Sequence, residues 1–369
     1  MNGLKAGDKV AILTSGGDAP GMNAAVRDAV AVALPLGLEL LGVRNGYRGL
    51  VDDDLAPLKR ADVTGWIRRG GSVLGTARCL DFHEPEVRAR AANNLRQRGV
   101  SGLIVIGGNG SLAGAHAMAS EVGADGQPLR VMGLPASIDN DIACTSLSIG
   151  VDTALNTITE ACDRILDTAS AHHRTFIVEV MGRACGYLAM TSAVAAGADG
   201  VLFPEANLNS EELIERVVEI IQGAYLPEVG RQRVLIVKSE GVITAATDLK
   251  QGVDARLSEL GLPVETRVTV LGHVVRGGSP TAADRLIAGR LAHAAVRGLT
   301  LGLSDVMAGW HVLRMPGLPQ GQLFEADPYI SFWPLEQVLH ETACIADGSS
   351  PVTQWRVRLL REAAPYLAC

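Results

Sequence analysis

The chain has 369 residues, a formal net charge of −7, and a composition that is 47% hydrophobic, 20% charged and 4% aromatic. That length exceeds one ordinary core and suits two lobes of about 150 residues each, while the negative charge speaks against nucleic acid as a partner. No apolar run reaches the roughly 18–20 residues needed to cross a bilayer, and the start from Met1 to Asp8 lacks the apolar stretch of a secretory leader. Six cysteines, Cys79, Cys144, Cys162, Cys185, Cys344 and Cys369, show no C-x-x-C spacing, so a reduced, cytoplasmic compartment is expected.

In chain order, short apolar runs rich in β-branched residues recur: Val10 to Leu13, Leu103 to Ile106, Arg130 to Leu134, Phe176 to Val180, Val234 to Val237 and Val268 to Leu271. Each precedes a loop and then an amphipathic stretch. This alternation predicts βα units and a fold of class α/β: two Rossmann-like three-layer lobes with mainly parallel sheets and the active site in the cleft between them. Ligands in such folds sit beyond the carboxyl ends of the strands, so the loops just after these runs are the places to look. Ile243 to Gly261 and the last forty or so residues give little pattern.

The loop after the first run reads Thr14-Ser15-Gly16-Gly17-Asp18-Ala19-Pro20-Gly21-Met22-Asn23. A Gly pair between a strand and a helix lets backbone N–H groups approach a phosphate beside the positive end of the helix, although the same pair also makes an ordinary tight turn. Gly107-Gly108-Asn109-Gly110-Ser111 repeats the architecture, without the Lys-Ser/Thr of a P-loop or the G-x-G-x-x-G of dinucleotide folds. Asp139 and Asp141 lie two apart, so in an extended segment both carboxylates would point the same way and could share a magnesium ion or divide base and metal duties. An Asp-Asn-Asp turn in solvent is the plainer alternative. Arg174 and Arg183 flank the run at Phe176, and Arg267, His273 and Arg276 surround the run at Val268, an arrangement suited to a phosphorylated substrate, although each arginine alone reads equally as a surface residue and His273 alone as a hydrogen-bonded structural histidine. His172-His173 reads as a polar turn.

Ser15-Gly16-Gly17-Asp18-Ala19-Pro20-Gly21-Met22-Asn23-Ala24, Pro135-x-Ser137-Ile138-Asp139-Asn140-Asp141, Val180-Met181-Gly182-Arg183 and Gly272-His273-x-x-Arg276-Gly277-Gly278-Ser279-Pro280 together closely resemble the bacterial ATP-dependent 6-phosphofructokinases, the phosphofructokinase A family. The resemblance runs from about Lys9 to about Gly298. It implies transfer of a phosphoryl group from ATP to fructose 6-phosphate with Mg2+ present. Gly16, Tyr47, Arg78, Cys79, Gly108, Asn109, Gly110 and Ser111 would meet the nucleotide, and Asn109 and Asp141 the metal. Ser137, Ile138, Asp139, Met181, Gly182, Arg183, Glu240, His273, Val274, Val275 and Arg276 would meet the sugar phosphate. Among these, Asp139, Arg183, Ser137 and Gly16 would carry the chemistry, with Asp139 as base. Arg174 and Arg267 would reach the 6-phosphate of a neighbouring subunit, which implies a homotetramer. The resemblance also implies a nucleotide lobe of residues 1–150 plus about 275–325 and a sugar lobe of 151–274 plus about 326–369.

The chain departs from the family pattern in places. Asn109 stands where such enzymes carry Asp, and a neutral amide supplies no charge to a divalent ion. Ala136 and Gly110 replace the Lys and Asp of pyrophosphate-using relatives, which favours ATP. His83 stands in place of a second Arg near the phosphates. Arg27, Arg60, Arg231 and Arg233 match an effector site between subunits, but Ala31, Gly65 and Leu166 do not, so weak effector control is expected. A pyrophosphate-dependent enzyme and a weakened regulatory paralogue are the competing functions.

Overall fold

The structure is a computed structural model and describes residues 2–226, 229, 233–311 and 321–367; Arg231 lies outside them. The first elements are β1 (Lys9–Ser15), α1 (Met22–Ala33), β2 (Glu39–Val43), α2 (Gly46–Val51), β3 (Leu55–Pro57), α3 (Pro85–Gln97), β4 (Val100–Gly107), α4 (Asn109–Met118), β5 (Arg130–Pro135) and α5 (Val151–His172). Then come β6 (Thr175–Val180), α6 (Tyr187–Ala195), β7 (Gly200–Leu202), α7 (Ser210–Ala224), β8 (Val234–Ser239), α8 (Ala246–Glu259) and β9 (Thr266–Val270). The chain ends with α9 (Ala282–Thr300), β10 (Val306–Trp310), β11 (Gln322–Phe324), β12 (Asp327–Pro334), α10 (Leu335–Ala346) and α11 (Pro351–Leu367). All six apolar runs picked out from the sequence are strands.

These elements form two compact units. Unit 1 is Met1–Ile138, Ile142–Thr153 and Arg276–Ala343; unit 2 is Asp139–Asp141, Ala154–Val275 and Cys344–Cys369. Unit 1 holds an eight-stranded sheet ordered β11-β12-β10-β5-β4-β1-β2-β3. Strands β10, β5, β4, β1 and β2 run parallel, and β3, β12 and β11 add antiparallel edges. Every residue of β4 is buried, as expected of a central parallel strand covered on both faces. Residues 327–343 sit with unit 1, where Ile330 to Pro334 of β12 pair with β10, whereas the expected division places everything after about 325 with the other lobe. That pairing is antiparallel and long-range, and the segment carries little periodicity to announce it.

Unit 2 holds a four-stranded, all-parallel sheet ordered β7-β8-β6-β9. Ile177, Val234 and Ile236 of its strands pack with Leu213, Val217 and Ile221 of α7 and Leu249, Val253 and Leu257 of α8. Helix α7 starts at a capping box, in which the Asn209 side chain accepts from the Glu212 N–H while Glu212 accepts from the Asn209 N–H. Helix α8 occupies the stretch from Ile243 that gave little signal in the sequence.

Candidate active site

Parallel pairing aligns Ser15 with Gly107 and Gly107 with Pro135, so the loops after β1, β4 and β5 emerge side by side at the carboxyl edge of the unit 1 sheet. A Cβ added to Gly16 would lie 3.2 Å from Ser111 Oγ and 3.9 Å from the Gly108 nitrogen. The two Gly-rich loops therefore share one spot, as a single polyphosphate would require. At Gly17 a Cβ would come within 2.6 Å of Arg276 Nη1, and that nitrogen donates to the Asp18 carbonyl at 3.3 Å. Only a glycine lets this guanidinium lie against the loop. Arg276, expected at the sugar phosphate, thus rests beside the phosphate-type loop of its own unit.

Asn109 and Gly110 open α4; Asn109 is exposed, and a Cβ on Gly110 would find open space. Ser111 is buried, and its carbonyl accepts the Tyr47 hydroxyl at 2.6 Å. Tyr47 is itself buried and tilts over Phe82 with ring centroids 4.2 Å apart; burial pushes its phenol well above the ordinary value. Its hydroxyl is engaged in fixing the α4 loop. Arg78 is exposed, and the Cys79 thiol donates to Asp81 Oδ1 at 3.3 Å, a carboxylate that also accepts from Arg48 at 2.7 Å. The segment before Arg78 is held by a residue whose role sequence reasoning missed. The buried Asn23 side-chain nitrogen lies 2.9, 3.1 and 2.9 Å from the carbonyls of Arg69, Gly70 and Gly71, and its oxygen accepts from the Val73 N–H at 2.7 Å. A polar amide among the apolar residues Met22 to Val26 of the first turns of α1 was the available signal.

In unit 2 the loop after β6 carries Met181, Gly182 and Arg183. Gly182 has φ +129°, and a Cβ there would come within 2.6 Å of the Cys185 carbonyl. Its N–H donates to Glu240 Oε1 at 3.3 Å and its carbonyl accepts from Ser239 Oγ at 2.6 Å. The adjacent parallel strand β8 thus brings Glu240, a predicted site residue, and Ser239 onto the turn. Arg183 and Glu240 are exposed while Met181 is buried. Under this turn lies Lys238, fully buried, with its Nζ 2.8 Å from Glu179 Oε2 on β6 and 3.1 Å from the Ser239 carbonyl.

Asp139, Asn140 and Asp141 belong to unit 2. The extended geometry expected for them does not form: Asn140 is buried with φ +50°, a left-handed conformation that Asn tolerates better than most residues, so the two carboxylates do not follow strand alternation. The Asn140 carbonyl accepts from Arg356 Nη1 at 3.4 Å, and the same guanidinium lies 4.5 Å over the Tyr187 ring. Arg356, on α11, is a second residue the sequence did not reveal.

Arg174 and Arg267, at the amino ends of β6 and β9, both bind Glu265. His273 and Val274 are exposed, whereas Val275 is fully buried and presents only backbone. Ile138 of unit 1 is also fully buried, and Ser137 beside it is partly exposed. His173, at φ +53°, ends α5 as a turn.

The phosphofructokinase family model matches residues 9–299. The chain belongs to the phosphofructokinase family. Among curated relatives, the ATP-dependent 6-phosphofructokinase of Thermotoga neapolitana is 46% identical over 299 residues, 81% of this chain and 88% of that one. The enzyme of the same description from Staphylococcus carnosus is 45% identical over 303 residues, 82% and 88% of the two chains. The solved phosphofructokinase of Saccharomyces cerevisiae superposes with a TM-score of 0.79 at 32% identity over 98% of this chain, which spans 48% of that longer chain. A pyrophosphate-dependent phosphofructokinase from Marinobacter aquaeolei, at 22% identity and a TM-score of 0.74, covers 90% of this chain and 83% of its own and shares the phosphofructokinase fold.

Proposed function

We propose that this chain is an ATP-dependent 6-phosphofructokinase, transferring the γ-phosphoryl group of ATP to the C1 hydroxyl of D-fructose 6-phosphate to give fructose 1,6-bisphosphate and ADP. The observation that carries the proposal is the identity of 46% over most of the chain to an enzyme of that description, and the adjacent loops at Gly16 and Gly108 support it. Phosphoryl transfer asks a protein for positioning and charge stabilisation more than for covalent chemistry. Backbone N–H groups at Gly16 and along Gly108 to Ser111 cradle the nucleotide phosphates, with Arg78 and Cys79 beside them. Asp139 accepts the proton of the C1 hydroxyl, and Arg183 stabilises charge on the phosphoryl group in flight. Ser137, Met181, Glu240, His273 and Arg276 hold the sugar phosphate.

Among the described residues no cluster of three or more His, Cys, Asp or Glu gathers that would hold a metal ion by itself. A Mg2+ that arrives on ATP keeps phosphate and water ligands and takes one or two from protein. Asn109 and Asp141 are the residues that would contribute, and the ion would neutralise charge on the phosphates. Arg174 and Arg267, exposed in part, serve the 6-phosphate of a neighbouring subunit in a cytoplasmic homotetramer. Among the described residues no helix is long and apolar enough to cross a membrane.

The deciding experiment measures fructose 1,6-bisphosphate formation with ATP and with pyrophosphate side by side across a magnesium titration. Turnover with ATP is expected. Turnover with pyrophosphate alone would replace this reading with the reversible enzyme, and no turnover with either would favour a regulatory paralogue.

A further inference from the structure

The sequence contains three Asn-Gly dipeptides: Asn2-Gly3, Asn45-Gly46 and Asn109-Gly110. A glycine after asparagine has no side chain to obstruct attack of its backbone nitrogen on the amide carbon, so each pair is open to loss of ammonia unless the fold holds it. Two of the three are held. The Asn2 carbonyl accepts from Nε of the buried Arg130 at 2.9 Å, and a Cβ on Gly3 would come within 1.8 Å of the Thr300 carbonyl, so turning that peptide breaks a bond to a buried cation and drives the chain into the end of α9. Asn45 sits in the left-handed region at φ +58° with its N–H on the Leu74 carbonyl at 2.8 Å. Its Oδ1 lies 2.7 Å from where a Cβ on Gly75 would be, and Gly46 is buried with room for a Cβ only 3.0 Å from the Thr14 carbonyl.

Asn109-Gly110 has no such restraint. Both residues are exposed and a Cβ on Gly110 would meet nothing within 4 Å. Among the described residues neither the Asn109 side chain nor the Gly110 N–H makes a hydrogen bond. The free N–H follows from its place, because the first N–H groups of a helix lack an intrahelical acceptor. That end of α4 also carries positive partial charge, which favours both the amide anion and the tetrahedral oxyanion of the reaction. The rotation that brings the two groups together involves only the opening residues of the helix, where helices fray.

We propose that Asn109 is a site of spontaneous deamidation, selected by the fold from the three Asn-Gly pairs. The Gly110 nitrogen, its proton lost to solvent base, attacks Asn109 Cγ; the bond from Cγ to the amide nitrogen breaks, and ammonia leaves with a proton taken from water, giving a succinimide. Water adds to either ring carbonyl and reopens the ring, to aspartate or to isoaspartate with the backbone rerouted through the side chain. A neutral amide thus becomes a carboxylate next to the loop that carries Gly16. The isoaspartate form also lengthens the backbone of the first turn of α4, where the Ser111 carbonyl accepts the Tyr47 hydroxyl. The modification is independent of the phosphoryl donor and of turnover.

The test incubates the full-length protein at neutral and mildly alkaline pH, folded and unfolded in urea, and follows the three dipeptides by peptide mass spectrometry. In the folded protein Asn109 is expected to convert at least about tenfold faster than Asn2 or Asn45, a barrier difference of roughly 1.4 kcal/mol, to both aspartate and isoaspartate and at a rate that rises with pH. In urea the three rates should converge. Gly110→Ala, which suits the open space and the helix, is expected to slow conversion about tenfold. An Asn109 that stays intact, that converts no faster than Asn45, or that is indifferent to Gly110→Ala would overturn the proposal. Aspartate without isoaspartate would do the same, since direct hydrolysis bypasses the succinimide, and so would an equal preference in urea, which would mean that flanking sequence and not the fold selects the residue. The measurement needs no turnover, and its failure leaves the kinase reading standing.

Discussion

Arg174 and Arg267 share one counter-ion: Nε of the first and Nη2 of the second donate to opposite oxygens of the Glu265 carboxylate. Parallel pairing of β6 with β9, in which Phe176 faces Arg267, brings the two guanidinium groups to one end of the sheet. A phosphate reaching these arginines competes with Glu265 for the same donors.

Replacing Glu265 by Gln is therefore expected to lower KM for fructose 6-phosphate severalfold with kcat little changed, because both cations are released from a competing anion. Acid should act in the same direction. The Arg174 hydrogen bond, helped by the charges of both arginines, holds the Glu265 carboxyl below its ordinary value. A depressed carboxylate pKa contributes stability that is present above the unfolded-state value and is lost as pH falls through the folded one. Salt should weaken the contacts too, since all three side chains are partly exposed. Steady-state saturation curves for the variant decide the matter: a raised KM would mean that Glu265 orients the arginines for phosphate instead of competing with it.

Asn109 opens α4 next to the loop that carries Gly16. An Asp there would add a carboxylate to the helix N-terminus, which favours negative charge by about 0.3–1 kcal/mol, and would give a divalent ion a charged ligand. Asn109→Asp is expected to lower the Mg2+ concentration needed for half-maximal rate and to raise kcat. Parallel magnesium titrations check this; unchanged curves would mean that the ion takes its protein ligands elsewhere.

How far the sequence revealed these features depended on the range of the interactions. The six apolar runs announced themselves as strands because each is a short β-branched segment ending in a loop, and the phosphate-type loops were visible as glycine clusters after β1 and β4. Strand β7 is too short to show a pattern, β2 carries a glycine, and β10 is built from Val, Met, Ala, Gly and Trp without alternation. The partners of the site residues were harder still. Glu265 lies 91 residues from Arg174 in sequence, and Arg356 lies 216 residues from Asn140, so no local motif announces either of these two contacts. The left-handed Asn140 was likewise invisible, because Asp-Asn-Asp is compatible with both a strand and a turn.

Lys238 and Glu179 face each other across β8 and β6, with the lysine side chain 1% exposed and the glutamate 19%. Removing one partner of a buried pair leaves an uncompensated charge, at about 3–5 kcal/mol. Lys238→Met is therefore expected to lower Tm substantially and to loosen the Gly182 turn through Ser239. The double variant Lys238→Met with Glu179→Leu should recover much of the loss, as well-packed apolar replacements of buried pairs often do. Thermal unfolding of the three variants measures the coupling, and additive losses would show that the two charges act independently.

Arg356 reaches from α11 to the Asn140 carbonyl and stacks on Tyr187. Arg356→Ala should lower kcat by roughly tenfold if it holds the turn bearing Asp139, an effect on the order of 1.4 kcal/mol in the transition state, with KM for ATP unchanged. Arg356→Lys should rescue little, because an ammonium cannot both stack flat on the ring and donate sideways. Equal loss of Tm in both variants with unaltered kcat would reduce Arg356 to a structural contact.

The Cys79 thiol supplies a reporter for the nucleotide loops. Desolvation, then the hydrogen bond to Asp81, pushes its pKa up to about 11; burial raises Cys144 to about 12 and Cys162 and Cys185 to about 11. Since only the thiolate reacts and an ordinary thiol titrates near 8.5, alkylation of these four at neutral pH should run about a hundredfold or more below that of a free thiol. Asp81→Asn removes the carboxylate that accepts the Cys79 proton, so iodoacetamide labelling of Cys79 alone should accelerate, read residue by residue by mass spectrometry. ATP should then slow that labelling if the nucleotide lies beside Arg78 and Cys79. Labelling indifferent to saturating ATP would place the nucleotide away from this segment.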